Sequence, residues 1–284
     1  QDGCDNSCAY CRVHIARGKA VSLESSTVVE RALALEAAGF SEIMLTGVNL
    51  TMYDHTDKGL GGLLEELLAS LGDGIRLRLS SLEPDHIDER LLCALKDPRM
   101  QPHFHIPVQS ASNKVLRRVD RHYDIEELSA ILGRLREAKD DPFIAGDVIT
   151  GLPGEGDEEF EETYRYFKEQ KFAQMHVFPF SPRPDTPLFT AKDRVPESIR
   201  DERAKRLRDL SDELYKEYLM RQSGKRTEVV LQNRKGGFWY GLSGNYLEVK
   251  VLDAPLFARE GLLVQAHFAQ FDEKIGKPVV ICHA

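Results

Sequence analysis

Three cysteines stand within eight residues, Cys4-x-x-x-Cys8-x-x-Cys11, the pattern in this 284-residue chain best suited to chemistry. One loop carrying three thiolates can ligate a metal centre. A cube-shaped cluster has four irons, and four protein thiolates would saturate it; three leave one iron open to a substrate. Zinc is the rival, because His14 follows Cys11 at x-x spacing and would complete a Cys3His site with Cys4, Cys8 and Cys11. Spacing alone leaves both open. A structural zinc staples a domain too small to fold alone, whereas a large β/α region follows here. Cys93, in Leu91-Leu92-Cys93-Ala94-Leu95, is expected on a core-facing helix surface, and Cys282 is expected to be structural in a terminal strand. Five cysteines, an odd number, do not read as a disulfide framework.

The elements that must hold this loop are visible as alternation. A helix is expected from an N-cap at Ser26 to Ala38, ended by Gly39. A buried strand follows at Ile43–Gly47, then a helix over Leu63–Leu71 and a strand over Arg76–Ser80. The pattern repeats with helix Ile87–Lys96, strand His103–Val108, helix Ile125–Ala138 and strand Phe143–Ile149. Helix Glu158–Gln170 and strand Met175–Phe180 close the series. Such alternation predicts parallel β/α units with right-handed crossovers. Five strands are too few for a closed eight-fold barrel, so the fold class is α/β with an open, partial TIM-like barrel, and chemistry belongs at the C-terminal ends of its strands. The cysteine loop should itself follow a strand. Cys4 is only the fourth residue, so the chain reads as truncated, with a first strand expected upstream.

Residues 197–222 form a long charged helix with an apolar stripe (Ile199, Leu207, Leu210, Leu214, Tyr218). Short strands with turn signals then take over: 229–231, 238–240, 246–252, 262–268 and 279–281. They predict a small all-β barrel over 223–284, after a first domain over 1–222. Net charge is −8, weak grounds against a nucleic-acid partner, but residues 222–284 carry eight Lys/Arg against six Asp/Glu, including Asp272, Glu273 and Lys274. No apolar run is long enough to span a membrane and no leader opens the chain, so a cytoplasmic protein is expected.

The motifs together resemble one family. Gly3-Cys4-Asp5-Asn6-Ser7-Cys8-Ala9-Tyr10-Cys11 is similar to the cluster loop of radical S-adenosylmethionine (SAM) enzymes. Ala16-Arg17-Gly18, Leu45-Thr46-Gly47-Val48-Asn49, Ser80-Ser81-Leu82-Glu83-Pro84 and His105-Ile106-Pro107-Val108-Gln109-Ser110 follow in the order seen in methylthiotransferases. So do the run Asp147 to Glu155 and the run Phe180 to Pro187. His176–Ser181 and Ser80–Pro84 look closest to the branch that methylthiolates N6-threonylcarbamoyladenosine at position 37 of tRNA.

The resemblance implies a 4Fe-4S cluster on Cys4, Cys8 and Cys11, whose open iron chelates SAM, and a transferase adding sulfur and a methyl group at C2 of the nucleoside. It implies SAM contacts from Thr46 and Gly47, and candidate contacts to SAM's ribose or carboxylate from Ser80, Ser81, Glu83, Gln109 and Ser110. Asp147 either touches the ligand or caps a core bond; Phe178 flanks the adenine or packs in the core. Gly151–Gly154 lacks the lysine of a phosphate loop and by likeness lines the adenine pocket. Arg17 and Arg183 are loop arginines that could meet a carboxylate or a tRNA phosphate. The small barrel resembles a TRAM domain, in which Arg234 and Lys235 would contact phosphate while Phe238, Trp239 and Tyr240 stack on bases; at least one of the three must face inward. A second 4Fe-4S cluster is expected only in an N-terminal domain that this chain lacks, so full methylthiolation is not expected of it alone. Expected partners are tRNA, an electron donor such as flavodoxin or ferredoxin, and a sulfur source; a monomer is expected. The alternatives are a methylthiotransferase of isopentenyladenosine tRNA or of a ribosomal protein, and a zinc-stapled RNA-binding protein.

Overall fold

A computed structural model describes residues 1–55, 57–272 and 276–283. Glu273 and Lys274 of the mildly basic tail lie outside the described residues, as does the side chain of Asp272. In chain order the elements of the first part are α1 (Val13–Arg17), α2 (Ser25–Ala37), β1 (Glu42–Leu45), α3 (Gly59–Ser70), β2 (Arg76–Leu79), α4 (Glu89–Leu95), β3 (His103–Gln109), α5 (Asn113–Arg118), α6 (Ile125–Ala138), β4 (Phe143–Thr150), α7 (Asp157–Glu169), β5 (Gln174–Pro179) and α8 (Glu197–Gln222). The second part holds β6 (Arg226–Lys235), β7 (Phe238–Ser243), β8 (Glu248–Leu252), β9 (Leu263–Asp272) and β10 (Lys277–Cys282).

Each expected strand and helix is present, with shifted ends. Helix α2 begins at Ser25 after Glu24, which makes no side-chain cap, so Ser26 is inside the first turn and is not the N-cap. Gly39 closes the helix as expected, with φ 87° and its N–H donating to Glu36 O at 2.8 Å. Helix α4 starts later than Ile87 because Asp88 is its cap, accepting from Leu91 N at 2.7 Å. Strand β8 starts at Glu248, not Tyr246, because Tyr246 has φ 66° and belongs to the turn. Cys93 corrects the sequence reading. Leu91, Leu92, Ala94 and Leu95 are buried, yet Cys93 is exposed; at 100° per residue it points away from the stripe its neighbours make. Cys282 is buried, as expected.

Strands β1 and β2 pair in parallel, as do β3, β4 and β5. Backbone bridges at Leu77–Met100 and Ser81–His105 join the two groups, giving an open parallel sheet in sequence order. The helices bury Leu64, Leu67, Leu91, Leu128, Leu132 and Phe167 against it. Strands β6 to β10 close a five-stranded barrel in the order β10-β8-β7-β6-β9.

The barrel seals one end of the open sheet. Its core is continuous with Phe143 and Ala145 of β4, through Tyr218 of α8. The turn between β7 and β8 enters at the N-terminal ends of the parallel strands. There Arg78, fully buried, donates to Gly244 O (2.9 Å) and Ser243 O (3.1 Å) and forks onto both carboxylate oxygens of Glu42. The His103 ring lies tilted against the Tyr246 ring, centroids 4.3 Å apart, and burial lowers its pKa to about 3, so it is neutral in the seam. Arg76 pairs with Glu228 alongside.

Candidate active site

The opposite, C-terminal ends of the parallel strands carry the cysteine loop. Ala9 N donates to Val119 O (2.9 Å) and Leu188 N to Ala9 O (3.0 Å), clamping the loop between two distant segments. Beneath it Ala9, Val115, Val119, Leu152, Phe180 and Leu188 make a small apolar cluster. Gly3 enters the loop with φ 71°, and a Cβ there would lie 1.9 Å from Lys19 O, so only glycine fits.

Each of the three sulfurs of the loop faces an N–H donor. Asn49 Nδ2 points at Cys4 Sγ (3.9 Å), Arg121 Nη1 at Cys8 Sγ (3.3 Å) and Val13 N at Cys11 Sγ (3.4 Å). Such donors stabilise sulfur that carries negative charge. Burial pushes the Cys8 thiol above its ordinary pKa, and the Arg121 cation offsets part of that rise. This donor set fits a group that takes thiolates. It does not fit zinc well: tetrahedral thiolate and imidazole donors around zinc stand about 3.8 Å apart or closer. Among the described residues, Cys4, Cys8, Cys11 and His14 do not form a group with all donor atoms within 4.8 Å of one another. His14 Nδ1 is buried with no hydrogen-bond partner.

A cavity of about 540 Å³ opens beside the loop, lined among others by Cys11, Gln109, Asp147, Ile149, Phe178 and Arg183. The size suits a nucleoside-like ligand. Six of the residues expected from sequence thus converge: Cys11, Arg17, Gln109, Asp147, Phe178 and Arg183. Gln109 holds φ 63° at the end of β3, a strained backbone for a non-glycine residue. Asp147 lies inside the sheet at the level of His176, its register partner. Its Oδ1 accepts from His105 Nε2 (2.9 Å) and His176 Nδ1 (3.1 Å), and Ser81 Oγ meets His105 Nδ1 at 2.6 Å. Burial raises the Asp147 pKa, but the two imidazole donors outweigh it and hold the carboxyl at about 2.

Other expected residues are engaged elsewhere. Ser110 is fully buried against Thr163 of α7 (Oγ···Oγ1 3.3 Å), so it turns away from the cavity and the expectation of a ligand contact is corrected. Glu83 is buried and ion-paired with Arg121. Ser80 Oγ is buried without a partner. Thr46 is exposed at the end of β1. The close approach at Gly47 comes from the chain itself, since a Cβ there would lie 2.9 Å from Gln1 Oε1. Gly151 packs on Arg200 instead of lining the cavity. Arg17, by contrast, ends α1 at the cavity wall, where it is exposed and pairs with Asp2 at 3.6 Å. On the small barrel Phe238 is exposed with Lys250 Nζ 4.2 Å from its ring centre, Tyr240 lies beside Lys277, and Trp239 packs inward. Arg234 and Lys235 are exposed. The structure does not unite these with Arg183, because the barrel attaches at the end of the sheet remote from the cavity.

Arg121, Asn49, His105 and His176 were not singled out from sequence as site residues. On β5 His176 alternates with buried Met175 and Val177, a signal that could have marked it as facing the sheet's open side; His105 lies in a strand whose other residues are all buried, and no such alternation marks it.

The Radical SAM superfamily model matches residues 1–167. The chain belongs to the radical SAM superfamily. Among curated relatives, it is 40% identical over 253 residues to the threonylcarbamoyladenosine tRNA methylthiotransferase MtaB of Treponema pallidum, covering 89% of this chain and 52% of that protein. It is 37% identical over 257 residues to MtaB of Bacillus subtilis, covering 88% and 57%. The chain therefore spans about half the length of the curated relatives it matches. Among solved structures, coproporphyrinogen III oxidase (HemN) from Escherichia coli, a radical SAM enzyme, superposes with TM-score 0.57 at 16% identity, over 87% of this chain and 64% of that one. At that identity the likeness speaks for the radical SAM fold.

Proposed function

We propose that this chain is the catalytic portion of a tRNA methylthiotransferase that modifies C2 of N6-threonylcarbamoyladenosine at position 37. One observation carries the reading: three thiols on one loop each face an N–H donor, and the last of them, Cys11, lines a nucleoside-sized cavity at the C-terminal ends of an open β/α sheet. The substrate follows from the names of the relatives that align over most of this chain.

Cys4, Cys8 and Cys11 would hold the 4Fe-4S cluster, which when bound supplies an electron and an open iron site for SAM. The residues around it do the rest. Phe178 offers an exposed ring face for an adenine. Asp147, kept ionised by two imidazoles, offers an acceptor for hydroxyl or amino protons of the ligand. Arg183 at the cavity rim suits a phosphate or carboxylate. The small barrel serves as a TRAM-like RNA-binding domain, with Phe238 and Tyr240 as stacking faces and Trp239 assigned to the barrel core. A flavodoxin or ferredoxin supplies electrons, and a separate source supplies sulfur. The enzyme works as a cytoplasmic monomer.

Nucleoside mass spectrometry of tRNA from a strain lacking the gene tests this. Loss of the 2-methylthio form of threonylcarbamoyladenosine is expected, restored by the full-length gene and not by its Cys8→Ala variant. Loss of the isopentenyladenosine derivative instead would move the assignment to that nucleoside, and an unchanged profile would end the tRNA reading.

A further inference from the structure

Two of the three sulfur donors trace back to one carboxylate residue. Glu83 N donates to Thr51 Oγ1 (3.0 Å), and Thr51 Oγ1 donates to Asn49 Oδ1 (2.9 Å), which leaves Asn49 Nδ2 directed at Cys4. The Glu83 carboxylate is ion-paired with Arg121, whose Nη1 donates to Cys8 Sγ at 3.3 Å. Arg121 has no freedom to leave. Its Nη2 donates to Pro107 O and Tyr123 Oη, both at 3.2 Å, and its side chain is 4% exposed. Only a planar fork reaches three such acceptors at once; a lysine ammonium does not.

We propose that Glu83 and Arg121 are a positioning pair that sets the charge at the Cys8 corner of the iron–sulfur centre, and with it the ease of reduction. The proposal rests on the reading of Cys4, Cys8 and Cys11 as cluster ligands. Hydrogen bonds to cluster sulfurs, net charge and solvent exposure set such potentials. A buried cation touching a ligand sulfur favours the added electron, and the paired carboxylate cancels part of that effect. In a site this dry neither is screened strongly. The pair therefore makes opposite contributions, which a purely structural role would not.

The test is anaerobic reconstitution of the whole protein, iron analysis, and redox titration followed by electron paramagnetic resonance. About four irons per chain at this site check the ligand reading by itself; a wild-type chain that binds none fails that reading and not the pair. With iron bound, Arg121→Gln is expected to make reduction about tenfold less favourable, a shift of about 59 mV to more negative potential. Glu83→Gln is expected to shift the potential the other way, and Arg121→Lys to fall between wild type and Arg121→Gln. Unchanged potentials, or shifts of the same sign for Arg121→Gln and Glu83→Gln, overturn the proposal. Should Arg121→Gln fail to hold iron, Glu83→Gln decides: a positive shift supports the pair and no shift overturns it.

Discussion

The Arg78 guanidinium carbon lies 4.9 Å from the centre of the Tyr246 ring, so an arginine of the parallel sheet and an aromatic of the small barrel close one seam. Arg78, its side chain fully buried, also satisfies Glu42 and the carbonyls of Ser243 and Gly244 where β7 runs into the turn. Arg78→Met strands all of them. It should cost about 3–5 kcal/mol of unfolding free energy, the loss typical of breaking a buried pair from one side. Urea denaturation of the cluster-free protein measures it, and a loss below about 1 kcal/mol would contradict this account of the seam.

Gly3→Ala should damage the cysteine loop without unfolding the domain. The added methyl would meet the Lys19 carbonyl, and φ 71° is unfavourable to alanine. Reconstituted iron should fall well below about four per chain, while the circular dichroism spectrum stays that of the native protein. Full iron loading of the variant would refute the steric argument.

His176 gives the stability a pH signature. Its hydrogen bond to Asp147 raises its pKa above the ordinary imidazole value. That contribution is complete below about pH 6.5 and disappears as pH rises through the raised value. Asp147 behaves oppositely: its share is present above about pH 3.9 and is lost only as pH falls toward about 2. The melting temperature of His176→Gln should therefore trail wild type most near pH 5 to 6 and converge with it in alkali. A gap that widens with alkalinity would be inconsistent with the ion pair.

Cys93→Ser should be silent, within about 0.5 kcal/mol of wild type, as for other surface changes. In the native protein a maleimide should label Cys93 readily and leave buried Cys282 untouched. Protection of Cys93 would restore the core position expected from its neighbours.

Arg234→Ala with Lys235→Ala tests the small barrel as an RNA surface. The slope of log affinity for tRNA against log salt should flatten by about one unit for each phosphate no longer neutralised. Fluorescence anisotropy over a salt series reads it, and an unaltered slope would move the RNA surface elsewhere.

The order of strands and helices was legible because hydrophobic period switches between two and 3.6 residues along the first 180 positions, and local spacing decides that period. Ends were less legible: Asp88 and Tyr246 set boundaries through a cap and a positive φ that compete with propensity. Cys93 was misread because residue type suggested burial where helical phase dictates exposure. In the site, the thiols were visible as spacing, Asp147 as a charged residue inside a strand, and Phe178 as an aromatic that either flanks the ligand or packs in the core. Arg121 was not visible. It sits in a basic stretch after α5 that resembles any solvated surface, and only closure of the fold brings it to Cys8, 113 residues away in sequence. Ser110 failed for the complementary reason: a serine one residue past a strand can face either the cavity or the helix behind, and Thr163 decides it.

Because the 243–246 turn forms the floor of the open sheet, the two parts of this chain cannot be traded as independent modules. A foreign domain spliced after Gln222 would leave Arg78, His103 and Phe143 facing water, unless it carried a stopper of the same shape. Any ancestral or engineered exchange of the small barrel must therefore transplant the seam with it, and homologues that differ in one half are expected to differ at these three positions in the other.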